Sequence, residues 1–291
     1  MRIAITGVTG LLGRNLLLEV LKHHWPSLDR LELLLLGRSN GEETFRQRIE
    51  KILKEESTDY LNIAPQRLSD VLSWANERFV YVECELRNDA LGINSEGLAC
   101  LTRQPIDHFF HVAASTDLRD SGEVRRELLS TNVEGTDRVL DLVSSLQVRE
   151  FAYVGSAYQC GAARGEIAPD FVNLKDDFRN PYEKSKLQAE IRGRSFAAKT
   201  GIKCRFFRPS IVSGRLMERI IGQTPKFDVF YGWAAFFLRL KLATRQTWAD
   251  KYSEPCTLDV RICCSHLSGL NILPADFELS PKTWTGLMGS G

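Results

Sequence analysis

The sequence predicts a doubly wound parallel α/β sheet followed by a smaller C-terminal region. Three observations carry that expectation. Short apolar strands alternate with helical patterns up to residue 207. A glycine-rich turn, Gly7-Val8-Thr9-Gly10-Leu11-Leu12-Gly13, lies between the first strand and the first helix. And 291 residues exceed one minimal core but suit a large α/β domain with an appendage.

The elements follow in order. The first strand is 3–6. A helix starts near Leu11 and places Leu12, Leu16, Val20 and Leu21 on one side. Strand 31–36 follows, then a charged helix over 42–56. Phe45, Ile49, Ile52 and Leu53 give that helix one apolar stripe, and Ser39 or Asn40 is expected to cap it. Strands 79–82 and 108–112 come next, the latter apolar apart from two histidines. Helix 133–146 repeats Val133, Val139, Leu140 and Val143. Strand 151–154, helix 182–199 and strand 204–207 complete the pattern, which matches a doubly wound sheet. The expected division is a nucleotide-binding domain over 1–212 and a partial substrate-binding region over 213–291. Within the latter, 230–242 is amphipathic: a core-facing helix, the wall of a substrate pocket, or a membrane-surface contact.

Composition narrows the classes. Lys and Arg number 38 against 37 Asp and Glu, a formal charge of +1. That balance argues against nucleic acid or an anionic membrane as the main partner. With 43% hydrophobic and 26% charged residues, the chain is an ordinary globular one. No run approaches the ~20 apolar residues of a transmembrane segment. The sequence opens directly into a strand, so no signal peptide is expected and a cytoplasmic location is. The cysteines at 84, 100, 160, 204, 256, 263 and 264 lack metal-type spacing and read as buried thiols, with no metal site.

The glycine-rich turn has a physical purpose. Glycine lets the chain turn sharply and lets backbone approach a ligand closely, because it has no Cβ. The free amides and dipole of the following helix suit a pyrophosphate. A dinucleotide site follows. An NAD site usually has an acid at the end of the second strand. Here the residues are Leu36-Gly37-Arg38-Ser39, and the planar fork of Arg38 suits the 2′-phosphate of NADP.

Candidate catalytic residues lie further on. Tyr182 and Lys186 are four apart on one helix and share a face, with Pro181 in its first turn. A nearby ammonium is expected to lower the phenol pKa from ~10 and make it a usable acid-base group. Ser156 follows the fifth strand, at the sheet edge where chemistry gathers, and its hydroxyl suits a growing negative charge on a reacting oxygen. Ser185 is placed on another face of the helix and given no catalytic role. Tyr158 lacks a lysine four residues on, since position 162 is alanine.

Together, residues 6–13, His111-Val112-Ala113-Ala114-Ser115, Asn132-Val133-Glu134-Gly135-Thr136, 155–158, 182–186 and Arg208-Pro209-Ser210 resemble the extended short-chain dehydrogenase/reductase superfamily and its Rossmann fold. Within it, the chain is most similar to the fatty acyl-CoA reductase and carrier-protein thioester reductase branch. The details are the charged helix after the second strand, Ser156-Ala157-Tyr158, Arg208 to Gly214, and Asn271-Ile272-Leu273-Pro274-Ala275-Asp276-Phe277. The resemblance implies an NADPH-dependent oxidoreductase that reduces a fatty acyl or carrier-protein thioester to an aldehyde or alcohol. Gly7, Gly10 and Gly13 would line the pyrophosphate, with Thr9, Leu11 and Leu12 also at the cofactor. Arg38 would read the 2′-phosphate, and Ala113 and Ala114 would lie beside the ribose next to the nicotinamide. Asn132 would support the active site, and Pro209 and Ser210 would border the nicotinamide. Ser156, Tyr182 and Lys186 would form the catalytic triad, Lys186 also holding ribose hydroxyls.

Two departures stand out. Gly155-Ser156 replaces the branch's usual Ser-Thr, and the sequence after 277 runs only to Gly291, so a truncated substrate region is expected. Implied partners are a coenzyme A or acyl carrier protein thioester, with a homo-oligomer left open. Two other readings remain at this stage. One is an NAD-retaining sugar epimerase or dehydratase, or a hydroxysteroid-type dehydrogenase. The other is a non-catalytic dinucleotide-binding protein.

Overall fold

The structure is a computed structural model. It describes residues 1–224 except 176 and 218, and in addition 231, 234 and 235. The chain divides into two compact units: Met1–Arg208 with Ser213–Lys226, and Pro209–Val212 with Phe227–Gly291. The amphipathic stretch 230–242, the segment 271–277 and Cys256, Cys263 and Cys264 lie outside the described residues, apart from Tyr231, Ala234 and Ala235.

The first unit is built on six parallel strands: β1 (Arg2–Thr6), β2 (Glu32–Gly37), β3 (Phe79–Glu83), β4 (Ile106–His111), β5 (Val148–Val154) and β6 (Lys203–Phe207). Their order in the sheet is β3-β2-β1-β4-β5-β6. The chain therefore winds outward from β1 to β3, returns to lay β4 against the other side of β1, and winds outward again. Loops leaving β1 and β4 diverge at their carboxyl ends, and that crevice is where such sheets bind ligands.

Both faces of the sheet are buried, which explains continuous apolar strands with no polar alternation. Ile3, Ile5, Leu33 and Leu35 pack with Leu17, Leu18 and Leu21 of α1 (Leu11–His24) and Ile49, Ile52 and Leu53 of α2 (Phe45–Leu61). Ala4, Leu34, Leu36, Phe109 and Phe151 face the other way. They meet Val139, Leu140 and Val143 of α6 (Glu134–Ser145) and Ala189 of α7 (Pro181–Thr200). Leu33, Leu34, Leu35 and Leu36 are all fully buried, each stabilising by roughly 2 kcal/mol relative to exposure.

The predicted strands are all present, but helix bounds and caps differ. The charged helix starts at Phe45, and its cap is Thr44. The Thr44 hydroxyl accepts from Gln47 N at 3.2 Å, and the Gln47 side chain accepts from Thr44 N at 2.8 Å. Ser39 lies outside the cap position, yet its hydroxyl accepts from Phe45 N, the first amide of α2, at 2.9 Å while donating to Glu83 at 2.8 Å. Three helices have no counterpart in the sequence reading: α3 (Leu68–Arg78), α4 (Ser95–Thr102) and α5 (Gly122–Leu128). They are short and bury only one or two apolar side chains each, which leaves little periodicity to read. A π-turn over Leu129–Val133 joins α5 to α6.

Among the described residues, no helix is long and apolar enough to cross a membrane. Cys84, Cys100, Cys160 and Cys204 are free thiols.

Candidate active site

The loop after β1 is shaped by its glycines. Gly7 has φ +72°, and a Cβ there would come 2.6 Å from the backbone of Ala113, which follows β4. Only glycine allows β1 and β4 loops to pass so closely. A Cβ on Gly13 would come 2.1 Å from the Gly7 oxygen, so this glycine lets α1 start against the loop. Gly10 differs. It is exposed, and its Cβ would meet one atom only, the Gly7 oxygen at 3.3 Å. Gly10 is the N-cap of α1 and supplies no side-chain cap; the first turn, which begins with Leu11 and Leu12, has no acidic residue. Space above Gly10, uncapped amides and the positive end of the dipole fit an anionic pyrophosphate.

At the end of β2, Arg38 is exposed and ion-paired with Glu85. The sequence reading found no acid near this strand end. The sheet register supplies one, because Glu83 of β3 lies beside Gly37 and holds both the Ser39 hydroxyl and its amide. Arg48 of α2 was not recognised from sequence. Its guanidinium donates to the Arg38 carbonyl at 2.7 Å and to the Thr9 hydroxyl at 3.1 Å. Arg48 therefore joins the glycine loop to the end of β2.

The catalytic candidates meet at the carboxyl end of β5. Asn180 caps α7 by accepting from Glu183 N at 3.0 Å, and Pro181 occupies the first turn. This sets the half-buried Tyr182 near Ser156, close enough for the Ser156 side chain to lower the phenol pKa. Ser156 is itself fixed. Its amide donates to the Gln159 side chain at 3.1 Å, and its hydroxyl oxygen accepts from Tyr158 N at 3.2 Å. Gln159 donates in turn to the fully buried Glu190, which also accepts from Arg194 and from Nε and Nη2 of Arg208. Burial works to raise the Glu190 carboxyl, but the bonds from Arg208, Gln159 and Arg194 outweigh it and hold the group below its ordinary value. The anchor of Ser156 was legible as a Ser-x-x-Gln capping box; that of Glu190 was not, since its partners come from three separate segments.

The expected depression of the Tyr182 phenol is not found. Burial pushes its pKa up, and the Ser156 side chain offsets this only in part. Lys186 does not counter it, because its amine donates to the Val154 carbonyl at 2.7 Å and lies over the Tyr153 ring, 4.7 Å from the centroid. Burial brings the Lys186 pKa down to about 7, although Glu190 pulls the other way. Tyr182 is thus a protonated group beside a second hydroxyl, and a proton donor in this state.

Asn132 is buried on the π-turn. Its side chain accepts from Ser115 N at 2.8 Å and donates to Ser115 O and to the Ser185 hydroxyl, both at 3.0 Å. Ala113 and Ala114 follow β4 and are half-buried, while Tyr158 is exposed. Pro209 and Ser210 belong to the second unit.

The chain is 29% identical over 192 residues to a protein named probable fatty acyl-CoA reductase 5 from Arabidopsis thaliana; the match covers 65% of this chain and 36% of the relative. The chain thus spans little more than a third of that relative's length. Among solved structures it is similar to the reductase domain of a nonribosomal peptide synthetase from Mycobacterium tuberculosis (22% identity, TM-score 0.55, 75% of this chain and 49% of that one). It is also similar to a UDP-glucuronic acid 4-epimerase from Bacillus cereus in complex with NAD (18% identity, TM-score 0.54, 82% and 63%). At these identities the two structures establish the Rossmann-type fold alone. Residues 5–278 match the NAD-binding family described as Male sterility protein. With that match running from the first strand almost to the end of the sequence, the chain belongs to this family, in the fatty acyl-CoA reductase-like branch of the extended short-chain dehydrogenases/reductases.

Proposed function

We propose that this chain is an NADPH-dependent reductase of acyl thioesters, fatty acyl or carrier-bound. One arrangement carries the reading: Ser156 follows β5 and Tyr182 opens α7, close enough for Ser156 to act on the phenol pKa, on the sheet edge that also bears the glycine loop. The open cradle at Gly10 supports dinucleotide binding, and family membership supports the substrate class.

Bound NADPH supplies the hydride. This chain's residues do the rest. The amides at the start of α1 hold the pyrophosphate, and Arg38 and Arg48 take the 2′-phosphate. For Arg38 this means exchanging Glu85 for the phosphate. Ser156 hydrogen-bonds the thioester oxygen, and Tyr182 gives that oxygen its proton as negative charge builds. Lys186 would hold ribose hydroxyls, its amine then leaving the Val154 carbonyl as Arg38 leaves Glu85. The balance is acyl thioester plus NADPH plus a proton, giving aldehyde, free thiol and NADP⁺; a second equivalent would carry the aldehyde to alcohol. Residues 213–291 would supply the acyl-binding region.

The test is loss of NADPH absorbance with long-chain acyl-CoA and acyl carrier protein thioesters, with trapping of the aldehyde. Tyr182→Phe is expected to lower kcat ~10²- to 10⁴-fold with little change in NADPH affinity. Wild-type turnover in that variant would remove Tyr182 from the chemistry. An NAD molecule that co-purifies, with no preference for NADP, would favour the epimerase-like alternative.

A further inference from the structure

Between the glycine loop and Tyr182 runs a buried polar chain centred on His111, at the end of β4. Its Nδ1 lies 2.8 Å from the Thr6 hydroxyl, and its Nε2 lies 3.1 Å from the Thr136 hydroxyl. His111, Thr6, Thr136 and Asn132 are each no more than 1% exposed.

The direction of every bond follows from counting protons. The Thr6 oxygen already accepts from the amides of Val112 at 3.1 Å and Ala113 at 3.2 Å. Its two lone pairs are used, so its one proton goes to Nδ1. Nδ1 is therefore an acceptor, and the ring proton of a neutral imidazole sits on Nε2. Thr136 spends its own proton on the backbone carbonyl of Asn132 at 2.6 Å, which leaves its oxygen to receive Nε2–H. Asn132, held at its backbone by Thr136, donates from its side-chain amide to the Ser185 hydroxyl at 3.0 Å, and Ser185 donates to the backbone carbonyl of Tyr182 at 2.8 Å. A charged imidazolium breaks this order, because two protons would then face each other at Thr6. Burial, aided by the Lys186 charge nearby, pushes the His111 pKa down to about 3, so the ring is neutral over the working range.

We infer that His111 is a positioning residue that couples the dinucleotide loop to Tyr182 through Thr6, Thr136, Asn132 and Ser185. Thr6 ends β1 directly before Gly7, and its hydroxyl also ties down the amide of Ala113, the residue whose backbone touches Gly7. A loop displaced by a ligand therefore pulls on His111, and the chain transmits that to the first turn of α7. The kinetic part of this inference rests on the reductase reading above; the hydrogen-bond order does not.

The test uses the full chain with His111→Phe, His111→Gln, Tyr182→Phe and the double variant His111→Phe/Tyr182→Phe. Affinity is read by NADPH fluorescence, and kcat on NADPH-saturated protein. His111→Phe is expected to raise the NADPH Kd and lower kcat by about tenfold each, with KM for the thioester within roughly threefold. His111→Gln, neutral with one acceptor and donors, is expected to recover both to within roughly threefold. In the Tyr182→Phe background, His111→Phe is expected to change kcat less than about twofold, since its route to the chemistry runs through Tyr182. Additive losses, or a folded His111→Phe with wild-type Kd and kcat, overturn the inference. Should that variant not fold, imidazole nitrogen NMR on the wild-type chain decides. A neutral ring protonated on Nε2 from about pH 5 to 8 supports the inference, and a proton on Nδ1 or a ring that titrates there overturns it. If the wild-type chain turns over no thioester, the reductase reading alone falls, while the Kd shift and the NMR spectrum still judge His111.

Discussion

Alanine at Gly10 and at Gly13 separates a glycine kept for a ligand from a glycine kept for the fold. At Gly13 the new methyl would lie 2.1 Å from the Gly7 oxygen, 2.7 Å from its carbonyl carbon and 2.8 Å from the Val8 Cα. All three are backbone atoms, so no side chain can swing away and the loop itself must move. Overpacking of this kind costs typically ~1–3 kcal/mol and sometimes more. At the upper figure, a domain of this size loses about 6–12 °C in Tm. At Gly10, φ is −78°, a value open to any residue, and the methyl meets one oxygen at 3.3 Å. The remaining cost is alanine's weaker capping, on the order of 0.5–1 kcal/mol, or about 1–4 °C. The methyl would however occupy the cradle in front of the first-turn amides, and NADPH Kd is expected to rise at least ~tenfold, a loss of about 1.4 kcal/mol. Thermal unfolding by circular dichroism and NADPH titration read both quantities. Equal destabilisation by both variants, or wild-type NADPH affinity in Gly10→Ala, would refute the placement of the pyrophosphate above Gly10.

Three further outcomes are expected. Lys186→Met should raise Tm, most strongly at and below about pH 7. The folded pKa of about 7 lies below the ordinary lysine value of 10.5, so burial penalises the charged amine fully at low pH. Between these values the unfolded chain binds more protons, wild-type stability rises with pH, and the mutant's advantage shrinks toward pH 10; a pH-independent difference would contradict this. Glu190→Gln strips the buried carboxylate from Arg208, Arg194 and Gln159, and should cost ~3–5 kcal/mol in denaturant unfolding. Unchanged stability would show that the arginines find other partners. Arg48→Ala should raise the KM for NADPH about tenfold and leave that for NADH nearly unchanged. An equal rise for both would place Arg48 away from the 2′-phosphate.

Much of the fold was legible because parallel strands buried on both faces leave an unmistakable mark. Runs such as Leu33-Leu34-Leu35-Leu36 have no solvent face to supply polar residues. The glycine loop was equally clear, since its spacing is local and its demands are backbone demands. Asn180-Pro181 likewise announced the start of α7. The helices α3, α4 and α5 escaped because they bury too few side chains to impose a period. Thr44 is the cap because it forms the reciprocal box with Gln47, while Ser39, tied to Glu83 across 44 positions that no local pattern encodes, supports the same helix start through Phe45 N.

The sequence by itself determined the winding of the sheet, the place of the nucleotide loop and the identity of Ser156, Tyr182 and Lys186 as candidates. Those depend on near-neighbour spacing, and hydrophobic periodicity and backbone sterics record it. Tertiary structure alone decided the protonation of the candidates and what holds them still. The Lys186 amine bonded the Val154 carbonyl, Tyr182 kept its proton, and Glu190 and His111 became anchors of the site. Burial and the distances between groups far apart in the chain set such properties, and neither exists until the strands have assembled.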